Sequence, residues 1–200
     1  MELLSRKLTT YLICKNVISE GKRTIYQYGF QIGLEVSLNT IVSIFIAVIY
    51  HMEIEALVFF LVFIPLRSYA GGLHLDKYIS CLICSCLSLL FLLLIAKYIK
   101  IDNLLSLGII AISLISIKLF SPVKDINRPI SQSELIMFGK KLNCCILMIG
   151  IMSIIFYCIK LNRMLFMVSI TTLFMVIILL LGEIKYRKNV KKVKTTILEK

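Results

Sequence analysis

His74 and Cys81 lie seven residues apart in Arg67-Ser68-Tyr69-Ala70-Gly71-Gly72-Leu73-His74-Leu75-Asp76-Lys77-Tyr78-Ile79-Ser80-Cys81, where an apolar run meets a polar loop. A thiol with an ordinary pKa of ~8.5 is only a few per cent thiolate at neutrality, and a nearby imidazole can take its proton and stabilise the anion. The pair therefore points to nucleophilic acyl transfer at a membrane surface. On one unbroken helix the two residues would share a face but stand ~10.5 Å apart along the axis. Proton transfer needs heavy atoms within about 3 Å, so the backbone must fold back between them. Gly71 and Gly72 permit this, because glycine reaches conformations closed to other residues. The expected arrangement is a loop or half-helix holding His74, then a helix that starts near Asp76 and carries Cys81 on its first or second turn. A helix N-terminus favours the thiolate through its dipole and free amides.

The neighbouring polar residues each admit two readings. Arg67 follows Pro65 at the membrane boundary. Its guanidinium either holds a substrate carboxylate or steadies the loop, or it snorkels to lipid phosphates. Asp76 either orients His74 or caps the next helix, and Gln31 and Glu35 are alternative orienters. Lys124, Arg128, Lys140 and Lys141 fit contact with an acidic part of a peptide and equally fit solvation. Cys84 and Cys86 extend Cys81 into a Cys-x-x-Cys-x-Cys string. A structural zinc takes four ligands, of which His74 would have to supply one, and no metal site is expected. A thiolate deeper in the helix is desolvated, so Cys81 is the better nucleophile. His51, beside Glu53 and Glu55, reads as interfacial.

Arg67, Gly71-Gly72, His74 and Cys81 resemble the Arg-x-x-x-Gly-Gly-x-His followed by Cys of the accessory gene regulator B family, membrane-embedded cysteine endopeptidases that process quorum-sensing propeptides. Tyr28-Gly29 ahead of the first long apolar segment is similar to that family too, as are Ser121-Pro122 and Asn127-Arg128-Pro129-Ile130 in a central basic loop. Leu75 departs from the pattern, since many members carry a small residue after the histidine. The resemblance implies His74 and Cys81 as the catalytic pair and Arg67, Gly71, Gly72, Lys124 and Arg128 as substrate-binding or supporting residues. It further implies a propeptide substrate of the accessory gene regulator D type, a homodimer, no cofactor and a bacterial cell membrane.

The elements that must position these residues are membrane helices. At 200 residues, 59% hydrophobic and mean hydropathy +0.93, the chain is too apolar for a soluble domain. Seven cysteines sit mostly inside apolar runs, and an odd number cannot all pair, which argues against a disulfide framework. The net charge of +12 flanks hydrophobic segments without any soluble nucleic-acid module, so membrane lipids and not nucleic acid are the expected anionic partner. No cleavable signal peptide is expected, because the first 32 residues carry charges throughout.

The expected fold is all-α, a polytopic membrane protein with about six transmembrane helices and an N-terminal interfacial amphipathic helix. We read it as one membrane domain over 1–200, divided into an interfacial helix at 1–32, a bundle at 33–182 and a basic tail at 183–200. Leu4, Leu8, Tyr11 and Leu12 give the first part its helical stripe. Spans are expected at about 33–50, 54–66, 79–96, 103–120, 142–159 and 164–182. The second is short: 13 residues cover only ~20 Å of a ~30 Å hydrocarbon core. It must lengthen at its ends, thin the bilayer or re-enter. If it crosses, all Lys and Arg except Lys97, Lys100, Lys160 and Arg163 fall on one side, 19 of 23; if it does not, the split is 14 against 9. The positive-inside rule then favours six spans with both termini, the Arg67 loop and the Lys118 to Lys141 loop in the cytoplasm. Ser131-Gln132-Ser133-Glu134 has capping-box spacing and marks a helix running into the fifth span. Two other functions remain open on sequence grounds. One is a small transporter or export component in which the Gly71-Gly72 break lines a path for a peptide or anion. The other is a thiol redox protein using Cys81 and Cys84.

Overall fold

The computed structural model describes residues 2–15, 17–71, 78–121 and 132–198, with side chains over 3–15, 17–71, 82–121 and 136–186. Among the described residues every regular element is a helix: α1 (Glu2–Cys14), a 3₁₀ turn (Glu20–Lys22), α2 (Arg23–Tyr50), α3 (Glu53–Ala70), α4 (Tyr78–Tyr98), α5 (Asn103–Phe120), α6 (Gln132–Cys158) and α7 (Asn162–Leu198). Four of these are long and apolar enough to cross a membrane, within α2, α5, α6 and α7, and the apolar stretch Leu82–Tyr98 of α4 adds a shorter one. The chain divides into two compact units, Met1–His51 with Asp76–Leu87, and Met52–Leu75 with Ser88–Lys200.

In the first unit α1 packs on α2 with Ser5 and Thr9 buried, while Leu3, Leu4, Leu8 and Tyr11 are exposed. Small hydroxyl residues let two helices approach closely, and Thr9 Oγ1 donates to the Ser5 carbonyl at 2.8 Å, which satisfies its buried hydroxyl. The apolar stripe thus faces away from the protein, as a helix lying on lipid requires. Arg23 ties the junction, donating to Thr10 Oγ1 at 3.1 Å and pairing with Glu20 at 2.9 Å. α2 starts ten residues ahead of its expected apolar span, so residues 1–32 are shared between α1, the 3₁₀ turn and the opening turns of α2. Hydropathy marks only the part of a helix that sits in hydrocarbon, whereas the backbone ladder continues into the polar interface. His51 closes α2 in the left-handed conformation (φ 53°) with its N–H directed to the Ala47 and Val48 carbonyls, and it is exposed.

The second unit is built around α7, which packs against α3, α5 and α6. Leu165, Met167, Val168, Ser169, Thr171, Thr172, Met175 and Leu179 are fully buried along it. The three hydroxyls return their hydrogen bonds to carbonyls one turn back, Ser169 to Phe166, Thr171 to Met167, and Thr172 to Val168 and Ser169, at 2.7 to 3.0 Å. Polar atoms are thereby satisfied within the helix, and small side chains remain at the contact. Phe59 stacks on Phe63 at 5.0 Å, and Phe63 meets Phe174 of α7 at 6.1 Å.

Contacts at the two ends set the direction of the helices in this unit. At one end Arg163 Nε lies 2.7 Å from Glu55 Oε1, and Asn103 Nδ2 donates to Asn162 Oδ1 at 2.7 Å, so α3, α5 and α7 all begin there. At the other end Ser121 Oγ donates to the Ala70 carbonyl at 3.4 Å, and Tyr69 meets Phe138 of α6 at 6.4 Å. α3 therefore runs the same course as α5. Against the 13 residues of the expected apolar run, α3 has 18, ~27 Å, with Glu53, Glu55 and Arg67 on its terminal turns and Pro65 within it, and it is not among the four helices long and apolar enough to cross a membrane. α6 begins at Gln132, where the capping-box spacing places a helix start, and α7 carries the basic tail on as helix to Leu198.

Candidate functional site

Arg67 occupies the last turn of α3 and is half-buried. Four residues later Gly71 ends the helix at φ 81°, ψ −149°. That combination is the mirror image of extended backbone and is closed to residues with a Cβ, so the glycine expected to break the chain here has a conformation that demands glycine. α4 is described from Tyr78, which makes Cys81 its fourth residue. Gly72, His74 and Asp76 lie outside the described residues, as do Lys124, Arg128 and the side chain of Cys81.

The α3 terminus gathers groups that the sequence reading did not join. Tyr69 carries Lys141 Nζ over its ring at 5.5 Å from the centroid and packs on Phe138, both from α6. Such a cation over an aromatic face is worth about 0.5–1 kcal/mol at an exposed site. Ser121, the first residue after α5, reaches the Ala70 carbonyl, one peptide before Gly71. The Arg67 turn and the start of the basic loop therefore share one end of this unit, with Arg67 and Lys141 supplying charge that suits a carboxylate. Ser121 and Lys141 stand out in sequence, the one at the start of the central basic loop and the other in Lys140-Lys141, but nothing local assigns either its partner on α3. The pairings join residues 51 to 72 positions apart, and no local pattern encodes them.

In the first unit Gln31 Nε2 donates to Glu35 Oε1 at 3.0 Å, one turn apart on α2 with both side chains half-buried. One turn further along, Asn39 Oδ1 accepts from Cys86 Sγ at 3.7 Å, which joins α2 to α4. Cys86 is thus engaged structurally, and Cys84 is exposed. Gln31, Glu35 and Asn39 form a polar ridge at i, i+4 and i+8 on a helix that is otherwise largely apolar.

Comparison with known proteins agrees with the motif. The family model described as Accessory gene regulator B matches residues 5–181, from α1 through the apolar length of α7. No curated protein and no solved structure matches the chain.

Proposed function

The chain belongs to the accessory gene regulator B family, and from that premise we propose that it is a membrane-embedded cysteine endopeptidase with Cys81 as nucleophile and His74 as its base. Membership supports the broader role, processing of a quorum-sensing propeptide. The observation that carries the finer reading is the helix break: α3 stops at a Gly71 whose φ is 81°, three residues before His74, and Cys81 is the fourth residue of α4 as described from Tyr78. A break of this kind removes the ~10.5 Å axial separation that a continuous helix would impose.

In this mechanism His74 takes the thiol proton and the Cys81 thiolate attacks the carbonyl carbon of the peptide bond after the future ring. Gly72 and adjacent amides donate to the oxyanion. Collapse expels the C-terminal fragment as an amine, which recovers the proton from the imidazolium. The acyl group remains on Cys81 as a thioester and so stays activated. A cysteine within the substrate then attacks it, freeing Cys81 and closing a thiolactone; a serine would close a lactone. Exclusion of water from a membrane-embedded pocket protects the intermediate. Arg67, Lys124 and Arg128 hold carboxylates of the propeptide, and Gln31, Glu35 or Asp76 orients the imidazole. The 3.0 Å bond from Gln31 fixes the Glu35 carboxylate, which favours that pair acting together. The site faces the cytoplasm, where the propeptide is made, and the enzyme works as a homodimer, as the family resemblance implies.

The test is co-expression in membranes with a propeptide from a short neighbouring reading frame, following cleavage by mass. The parent is expected to cleave, and Cys81→Ala and His74→Ala to lose cleavage at unchanged membrane levels. Cleavage that persists without Cys81 overturns the nucleophile assignment and brings the transporter reading forward. Equal sensitivity at Cys84 would instead indicate thiol redox chemistry.

A further inference from the structure

The end of α3 is weakly held by its own backbone. Pro65 has no N–H to return to the Leu61 carbonyl, and Leu66–Ala70 beyond it amount to little more than one turn, too short to persist without tertiary support. Gly71 nevertheless leaves this turn in a single conformation at φ 81°. The support has to come from neighbouring helices.

Two neighbours in the same unit supply it. Ser121, the residue after α5, closes two helices at once: its N–H bonds the Ile117 carbonyl at 3.0 Å to cap α5, and its hydroxyl donates to the Ala70 carbonyl at 3.4 Å. Ala70 is the last residue of α3, so that carbonyl has no donor within its own helix. From α6, Phe138 packs on the Tyr69 ring at 6.4 Å between centroids, and Lys141 sets its Nζ 5.5 Å from the centre of the same ring. Phe138 and Lys141 stand at i and i+3, so one face of α6 holds Tyr69. Both contacts use the aromatic ring, and neither uses the phenol hydroxyl.

We propose that Tyr69 is a positioning residue for His74, held by Lys141 and Phe138 and backed by Ser121. It acts through the chain. His74 follows three residues after Gly71, at most ~11 Å of backbone, so little chain lies between them to absorb a swing of the α3 end. Misplacing a reacting group by about 1 Å can cost as much as 10²-fold in rate, which makes a few modest contacts at this turn a strong control on catalysis. The proposal rests on the reading of His74 as the base for Cys81, and it gives Tyr69 and Lys141 no contact with the propeptide.

The experiment uses the full chain in membranes and measures alkylation of Cys81 by iodoacetamide at neutral pH, resolved from the other cysteines by peptide mass, alongside cleavage kinetics with the propeptide. A thiolate assisted by an imidazole reacts faster than an ordinary thiol, so His74→Ala should slow alkylation on the order of 10-fold. Tyr69→Leu and Lys141→Met should also slow it, and should lower kcat about 10-fold with KM within about 2-fold of the parent. Tyr69→Phe keeps the ring and Lys141→Arg keeps the cation, so each should restore both rates. Lys141 is exposed, and its variants therefore carry the test if Tyr69→Leu lowers the unfolding midpoint. Alkylation slowed by His74→Ala but not by Tyr69→Leu or Lys141→Met leaves the Cys-His pair standing and overturns the positioning role. Alkylation that His74→Ala does not slow removes the pair and the positioning role together. A raised KM at unchanged kcat in Lys141→Met overturns the proposal as well, because it makes the lysine a substrate contact.

Discussion

At the scale of single residues, Gly71 is where sequence and backbone geometry meet most directly. Its φ of 81° with ψ −149° is available to glycine alone among the common residues, so Gly71→Ala should cost about 1–3 kcal/mol. A lowered thermal midpoint of the detergent-solubilised chain, together with reduced propeptide cleavage, is the expected result. Gly29 supplies the contrast: it lies within α2 with nothing within 4 Å of an added Cβ, so Gly29→Ala should leave the midpoint unchanged or raise it by the ~0.5–1 kcal/mol that glycine costs inside a helix. Reactive types were legible at this scale, because a thiol, an imidazole and a glycine pair declare their chemistry by composition. Their supporting contacts were not. Tyr69 under Lys141 and Ser121 on the Ala70 carbonyl depend on which helices become neighbours.

Single helices show how far hydropathy reaches. The run from 54 to 66 is too short for a span when only apolar residues are counted, yet the helix extends to Glu53 and Ala70 because its terminal charges find partners or the interface. Glu55 is the clearest case, buried against Arg163 of α7. Arg163→Ala should destabilise by about 1–3 kcal/mol, since it leaves a buried carboxylate without its cation. The double change Glu55→Gln with Arg163→Met should recover much of that loss, because removing both members of a buried pair is often close to neutral. A double-mutant cycle on unfolding midpoints checks this, and additive losses would show that the two side chains do not couple. Sequence reading placed both residues on the same side of the membrane, but it offered no reason to pair them across more than a hundred positions.

For the molecule as a whole, the open question on sequence grounds was whether the second segment crosses; within their unit the end contacts show that α3 begins at the same end as α5 and α7 and runs the same course as α5. The Arg67 turn and Ser121 lie at one end, and Lys97, Lys100 and Arg163 at the other. If the positive-inside rule assigns the sides, a maleimide that cannot cross the bilayer should modify Leu161→Cys in intact cells. It should modify Cys14 only after permeabilisation; both positions are exposed. Labelling with the opposite preference would invert the orientation and move the proposed site to the outer face.

Membrane class, helical content, the helix break at Gly71 and the placement of Cys81 early in a helix were determined by the sequence itself, because each follows from local rules of hydropathy, capping and glycine conformation. The tertiary structure alone decided that α7 is the central helix of its unit, that Glu55 is neutralised by Arg163, and that Tyr69 and Ser121 join the Arg67 end. In lipid, apolar side chains gain little from facing one another rather than the bilayer, so helix pairing rests on small residues, satisfied hydroxyls and a few polar contacts. Those contacts join residues distant along the chain, and a one-dimensional pattern carries no record of them.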